Sequence, residues 1–76
     1  MPERLPRVTS SELLAALRRA GWGIVRQRGS HARLAHPERG GRVTVSVHAR
    51  DIVKPGTLRA ILEQAGLTVD ELVELL

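Results

Sequence analysis

The residue best placed to move a proton is His31, which follows Gly29-Ser30 and stands among Arg26, Arg28, Arg33 and Arg42. An imidazole with an ordinary pKa of ~6.5 exchanges protons near neutrality, and arginine forks supply fixed charge against phosphate oxygens. RNA carries its own nucleophile in the ribose 2′-hydroxyl. Its cleavage needs a base for that hydroxyl, an acid for the leaving 5′-oxygen and positive charge against the phosphorane. One histidine beside several arginines therefore suffices for a slow, metal-independent nuclease, with acid–base assistance of about 10²- to 10⁴-fold. A metal site does not follow from the other histidines. His36 lies five residues from His31, on the opposite side of a strand, and no histidine pair has ligand spacing with a carboxylate nearby, so neither metal nor cofactor is expected. No Ser-His-Asp set and no phosphate-cradling glycine loop is present.

The elements that position His31 are legible in turn chemistry and periodicity. Thr9 and Glu12 form a capping box and Val8 and Leu13 a hydrophobic staple, predicting a helix from Ser10 to Ala20 with an apolar stripe of Leu13, Leu14 and Leu17. Ala20-Gly21-Trp22 ends it. Trp22, the only aromatic residue, is expected to anchor that helix end in the core rather than to stack on bases. Three strands follow: 23–28, then the Gly-first two-residue loop Gly29-Ser30, then 31–36, a turn over 37–41, and 42–48. In the third strand Val43, Val45 and Val47 alternate with Arg42, Thr44, Ser46 and His48. The same parity buries Ala32 and Leu34 and turns His31 and Arg33 outward; in the first strand it puts Arg26 and Arg28 outside and Val25 inside, with Ile24 fitting poorly. His48 shares the outward parity and is the candidate for a second proton transfer. Lys54-Pro55-Gly56-Thr57 opens a second helix that Gly66 closes, and a second capping box (Thr68, Glu71) starts a short acidic third.

The expected fold is α+β, a three-stranded antiparallel sheet with helices on one face and its other face free for function. That face gathers Arg26, Arg28, His31, Arg33, Arg42 and His48. With the Gly29 and Ser30 amides and Lys54, these make up the expected RNA-binding set, a phosphate-binding surface without base readout.

Composition agrees with a polyanion partner. The chain has 76 residues, no cysteine and a net charge of +4. That length fits one domain over residues 1–76 and excludes deep cofactor cavities, and the missing cysteines exclude disulfide scaffolds and thiol nucleophiles. Residues 1–51 hold ten basic against four acidic side chains, +6, whereas residues 52–76 hold two against four, −2. No apolar run approaches a membrane span, and the start lacks a signal peptide's apolar core, so a cytoplasmic location is expected.

Ser10 to Trp22, Val25 to His31 with its Gly-Ser-His, Arg42 to Val45, His48, and Lys54 to Leu67 with its Pro-Gly-Thr-Leu together resemble the HicA toxin family, also called YcfA-like. The resemblance runs from about residue 10 to residue 67. It implies a double-stranded-RNA-binding-like α-β-β-β-α fold, to which the short C-terminal helix is added. It also implies ribosome-independent mRNA cleavage, neutralisation by a HicB antitoxin, and a catalytic role for the histidine of Gly-Ser-His, here His31. This sequence departs from the family pattern at Ala32, where a second histidine is frequent, at Leu34 in place of an aromatic, and at Ser46 in place of a proline.

Three functions fit the residues. A ribonuclease toxin acting on single-stranded mRNA predicts that His31→Ala abolishes turnover and spares binding. The alternative, a non-catalytic RNA-binding module, uses the same face for phosphate contact alone. A basic face that docks an acidic protein predicts no RNA affinity at moderate salt.

Overall fold

The computed structural model describes residues 4–48 and 50–76. In chain order its elements are α1 (Ser10–Arg19), β1 (Gly23–Arg28), β2 (His31–Ala35), β3 (Val43–Ser46), α2 (Pro55–Ala65) and α3 (Val69–Leu75).

Local chemistry sets both ends of α1. The Thr9 hydroxyl accepts the Glu12 N–H at 3.1 Å, and the Glu12 carboxylate accepts the Thr9 N–H at 2.8 Å. Two N–H groups that the first turn leaves without helical partners are thereby satisfied. At the other end Gly21 takes φ +103°. This lets the Trp22 N–H reach the Leu17 carbonyl and the Gly21 N–H the Arg18 carbonyl, both at 3.0 Å. Trp22 is buried, as a helix-end anchor should be. The same device closes α2, where Leu67 N–H reaches the Leu62 carbonyl at 2.9 Å, and Thr68 and Glu71 repeat the capping box for α3.

The strands form one antiparallel sheet in the order β1-β2-β3. Between β1 and β2, Gly29 has φ +57°, and among the described residues no non-glycine has a positive φ. This is the pattern of a type II′ turn, whose first central position only glycine takes without strain. Alternation divides the sheet cleanly in β2 and β3. Ala32, Leu34, Val43 and Val45 are buried, whereas His31, Arg33, Thr44 and Ser46 are exposed. The buried row packs with Leu13, Leu17, Leu58 and Leu62 of the helices into one core. Each such leucine contributes roughly 1.5–3 kcal/mol by leaving water.

β1 departs from the expected parity. Val25 is 59% exposed and Ile24 instead packs against the core. The cause is a register shift: Ile24 pairs with Leu34 but Arg26 pairs with Arg33, leaving Val25 as an extra, bulged residue. A bulge reverses alternation at one point. Arg26 and Arg28 consequently face outward while Ile24, on the other side of the bulge, faces the core.

The strands are also shorter than their patterns. β2 ends at Ala35 and β3 spans only Val43–Ser46, so His36, Arg42 and His48 lie outside them. Beyond Ser46 the chain is drawn toward the start of α1: Ser10 N–H donates to the Asp51 carbonyl (3.1 Å), Val53 N–H to the Val8 carbonyl (2.8 Å), and Thr9 and Ile52 form an isolated bridge. Among the described residues no helix is long and apolar enough to cross a membrane.

Candidate nucleic-acid interface

The outward face of the sheet is built from two cross-strand rows. Arg26, Arg33 and Thr44 form one; Arg28, His31 and Ser46 form the other. Directly opposed side chains in such rows have Cβ atoms about 4.5–5.5 Å apart. Five of these six residues line an open pocket of about 290 Å³: Arg26, Arg28, His31, Arg33 and Thr44. No acidic side chain lines it among the described residues.

This arrangement works against stability. Arg26 faces Arg33 across the strand pair, and like charges directly opposite each other destabilise a sheet. A pocket that gathers three guanidinium groups with no carboxylate is suited to an anion, and guanidinium forks match phosphate oxygens bidentately. His31 stands at the rim formed by the hairpin turn, opposite Arg28 and exposed to solvent. Its ring is the one imidazole lining that pocket.

Arg19, Arg39 and Arg42 are used differently. Arg39 Nη1 donates to the Ala65 and Gly66 carbonyls at 3.2 and 3.5 Å, and Arg19 Nη1 to the Leu75 carbonyl at 2.7 Å. Both satisfy carbonyls left over at helix C-termini. Arg42 Nη1 donates to the Gly41 carbonyl at 2.8 Å and does not line the His31 pocket. Arg26, Arg28 and Arg33 make no such bond among the described residues.

His36 is likewise structural. Its Nδ1 accepts the Glu38 N–H at 3.0 Å, which fixes the other nitrogen as the donor to the Ala20 carbonyl at 3.1 Å. Its ring meets Trp22 edge-on at 5.4 Å. A Cβ added at Gly21 would fall 2.5 Å from Nε2, so the α1 end and His36 fit only with glycine there.

Of the residues expected to bind RNA, Arg26, Arg28 and Arg33 converge with His31, and Gly29-Ser30 form the turn beside it. His48 and Lys54 do not join them. They line a separate groove of about 240 Å³ between β3 and the start of α2, together with Asp51, Ile52 and Thr57. Asp51 and Ile52 carried no motif of their own, and Thr57 stood only in the start of the second helix. Their convergence depends on the path of residues 50–54, which hydrogen bonds to Val8 and Ser10 hold. Among the described residues no three His, Asp or Glu side chains group as metal ligands.

In comparison with known families, a model described as the HicA toxin of bacterial toxin–antitoxin systems matches residues 10–67. No curated protein matches the chain.

Proposed function

Because the chain belongs to the HicA toxin family of bacterial toxin–antitoxin systems, we propose that it is an endoribonuclease toxin that cleaves single-stranded mRNA at the His31 pocket and is neutralised by a HicB-type antitoxin. The observation that carries this reading is the acid-free pocket in which His31 stands beside Arg26, Arg28 and Arg33. A like-charged Arg26–Arg33 pair has no structural benefit, and a bound phosphate turns its repulsion into attraction.

In the proposed reaction the arginines hold the scissile phosphate, and His31 takes the proton of the adjacent 2′-hydroxyl. The 2′-oxygen forms a bond to phosphorus, the bond from phosphorus to the 5′-oxygen breaks, and that oxygen leaves with a proton from water. The products are a 2′,3′-cyclic phosphate and a free 5′-hydroxyl. Arg28, opposite His31, and Arg33, opposite Arg26, are set to oppose the charge that accumulates on the phosphorane oxygens. His48, in the neighbouring groove, binds RNA in this scheme and transfers no proton.

The test is incubation of the protein with a long single-stranded RNA in EDTA, followed by analysis of the product ends. Cleavage leaving 2′,3′-cyclic phosphates is the expected result. Binding without cleavage would leave a non-catalytic RNA-binding module, and absence of both at moderate salt would remove RNA as the ligand.

A further inference from the structure

The groove beside β3 differs in kind from the His31 pocket. It has an apolar floor of Val45, Ile52 and Ile61 and a polar rim that includes His48, Asp51 and Lys54. Ile52 is 45% exposed there, an aliphatic surface offered to solvent. The groove is also preformed, since the segment carrying Asp51 to Val53 is bonded to Val8 and Ser10.

Its position relative to His31 is set by the sheet. Ser46 is the register partner of His31 and lines the groove, so the groove begins one inter-strand step, ~4.8 Å, from the histidine. β3 is an edge strand, so an extended chain crossing the outer face reaches this side of the sheet. A polynucleotide held by its phosphate at the arginines therefore brings a neighbouring nucleotide to the groove. Proteins that read single-stranded RNA splay out unstacked bases and bond their Watson–Crick edges.

Among the described residues Asp51 is the one carboxylate lining either cavity. Beside a polyanion it is unfavourable unless it accepts a hydrogen bond from the ligand. An ionised carboxylate only accepts. Adenine, cytosine and guanine present an exocyclic amine to it; uracil presents one N–H flanked by two carbonyls that repel it.

Resting on the ribonuclease reading above, we propose that this groove is a base-reading subsite for the nucleotide next to the scissile phosphate, and that Asp51 selects amine-bearing bases over uracil. The experiment measures kcat/KM on short single-stranded RNAs that differ only in the base on either side of the cleaved bond. Wild type should favour amine-bearing bases over uracil at one of the two positions by about tenfold, the scale of one base contact. Asp51→Asn, which both donates and accepts, should bring the four bases within about twofold, while Arg33→Ala slows all four alike. No preference in wild type, or an unchanged preference in Asp51→Asn, overturns the proposal.

A second measurement separates the subsite from the nuclease reading. His31→Ala protein labelled with ¹⁵N is titrated with cytidine and uridine monophosphates. Amide shifts at residues 51–57 that saturate at lower concentration with cytidine support the subsite even if wild type cleaves nothing, in which case the nuclease reading alone falls. Shifts confined to residues 26–33 with both nucleotides refute the subsite, as does the absence of any shift.

Discussion

His31 opens β2 and His36 follows its last residue, and the molecule uses the two histidines in opposite ways. His36 falls on the helix side, where both ring nitrogens are engaged and the ring packs on Trp22. His31 falls on the open side, in a pocket shared with three arginines. The arginines divide in the same manner: Arg39 caps α2, whereas Arg33 stands between Arg26 and Thr44 on the open face. Residue type alone therefore predicts little on this scaffold. What separates a structural side chain from a functional one is whether the fold already supplies its partner.

That contrast can be broken most strongly at His36. Replacing it by alanine strands the Ala20 carbonyl and the Glu38 N–H and removes the Trp22 contact, with an expected cost of about 1–3 kcal/mol in urea unfolding. His31→Ala should leave the same midpoint in place. Equal losses for the two would abolish the distinction.

Arg33→Ala should act on binding instead. RNA affinity is expected to fall by on the order of 1.5 kcal/mol, and the slope of log affinity against log salt by about 0.7, the value for one phosphate on a single strand. Stability should hold or rise by a few tenths of a kcal/mol as the Arg26 repulsion is relieved. Arg39→Ala is the mirror case. It should lower stability by about 0.3–1 kcal/mol through the exposed end of α2 and leave the RNA salt slope unchanged.

The smallest effect belongs to acid. The Glu12 and Glu71 carboxyls lie below their ordinary value of 4.5 because they accept the Thr9 and Thr68 backbone N–H groups, with the threonine hydroxyls adding to the effect. A carboxyl lowered in the folded state binds fewer protons there than in the unfolded chain. Its contribution is complete above 4.5 and is lost as pH falls through the folded-state value. In thermal melts across that interval, Glu12→Gln and Glu71→Gln should each show a shallower decline than wild type.

Most of this architecture was legible because it rests on local chemistry. Both capping boxes, the Gly29-Ser30 turn, the Gly21-Trp22 helix end and the alternation of Val43 and Val45 form where the residues indicate. The misplacement of Val25 had a different origin: an inserted residue without glycine reads as ordinary alternation until its partner strand is known. The shortened β3 is also a tertiary effect: Val47 N–H still reaches the Ser30 carbonyl, but Asp51 and Val53 bond to Ser10 and Val8 rather than continue the sheet. His31, Arg26, Arg28 and Arg33 could be grouped from parity and the turn. The groove holding His48, Asp51 and Lys54 could not, because residues 51–53 take their position from hydrogen bonds to Val8 and Ser10, far earlier in the chain.

The central claim is that the open side of the sheet performs chemistry as well as binding, and His31→Ala tests it most directly. Single-turnover cleavage in EDTA and RNA affinity should be measured on the same preparation of this variant and of wild type. The account predicts affinity within about twofold of wild type and cleavage slower by about 10²- to 10⁴-fold. Cleavage at the wild-type rate would place the catalytic group elsewhere and leave the arginine pocket as a binding surface alone.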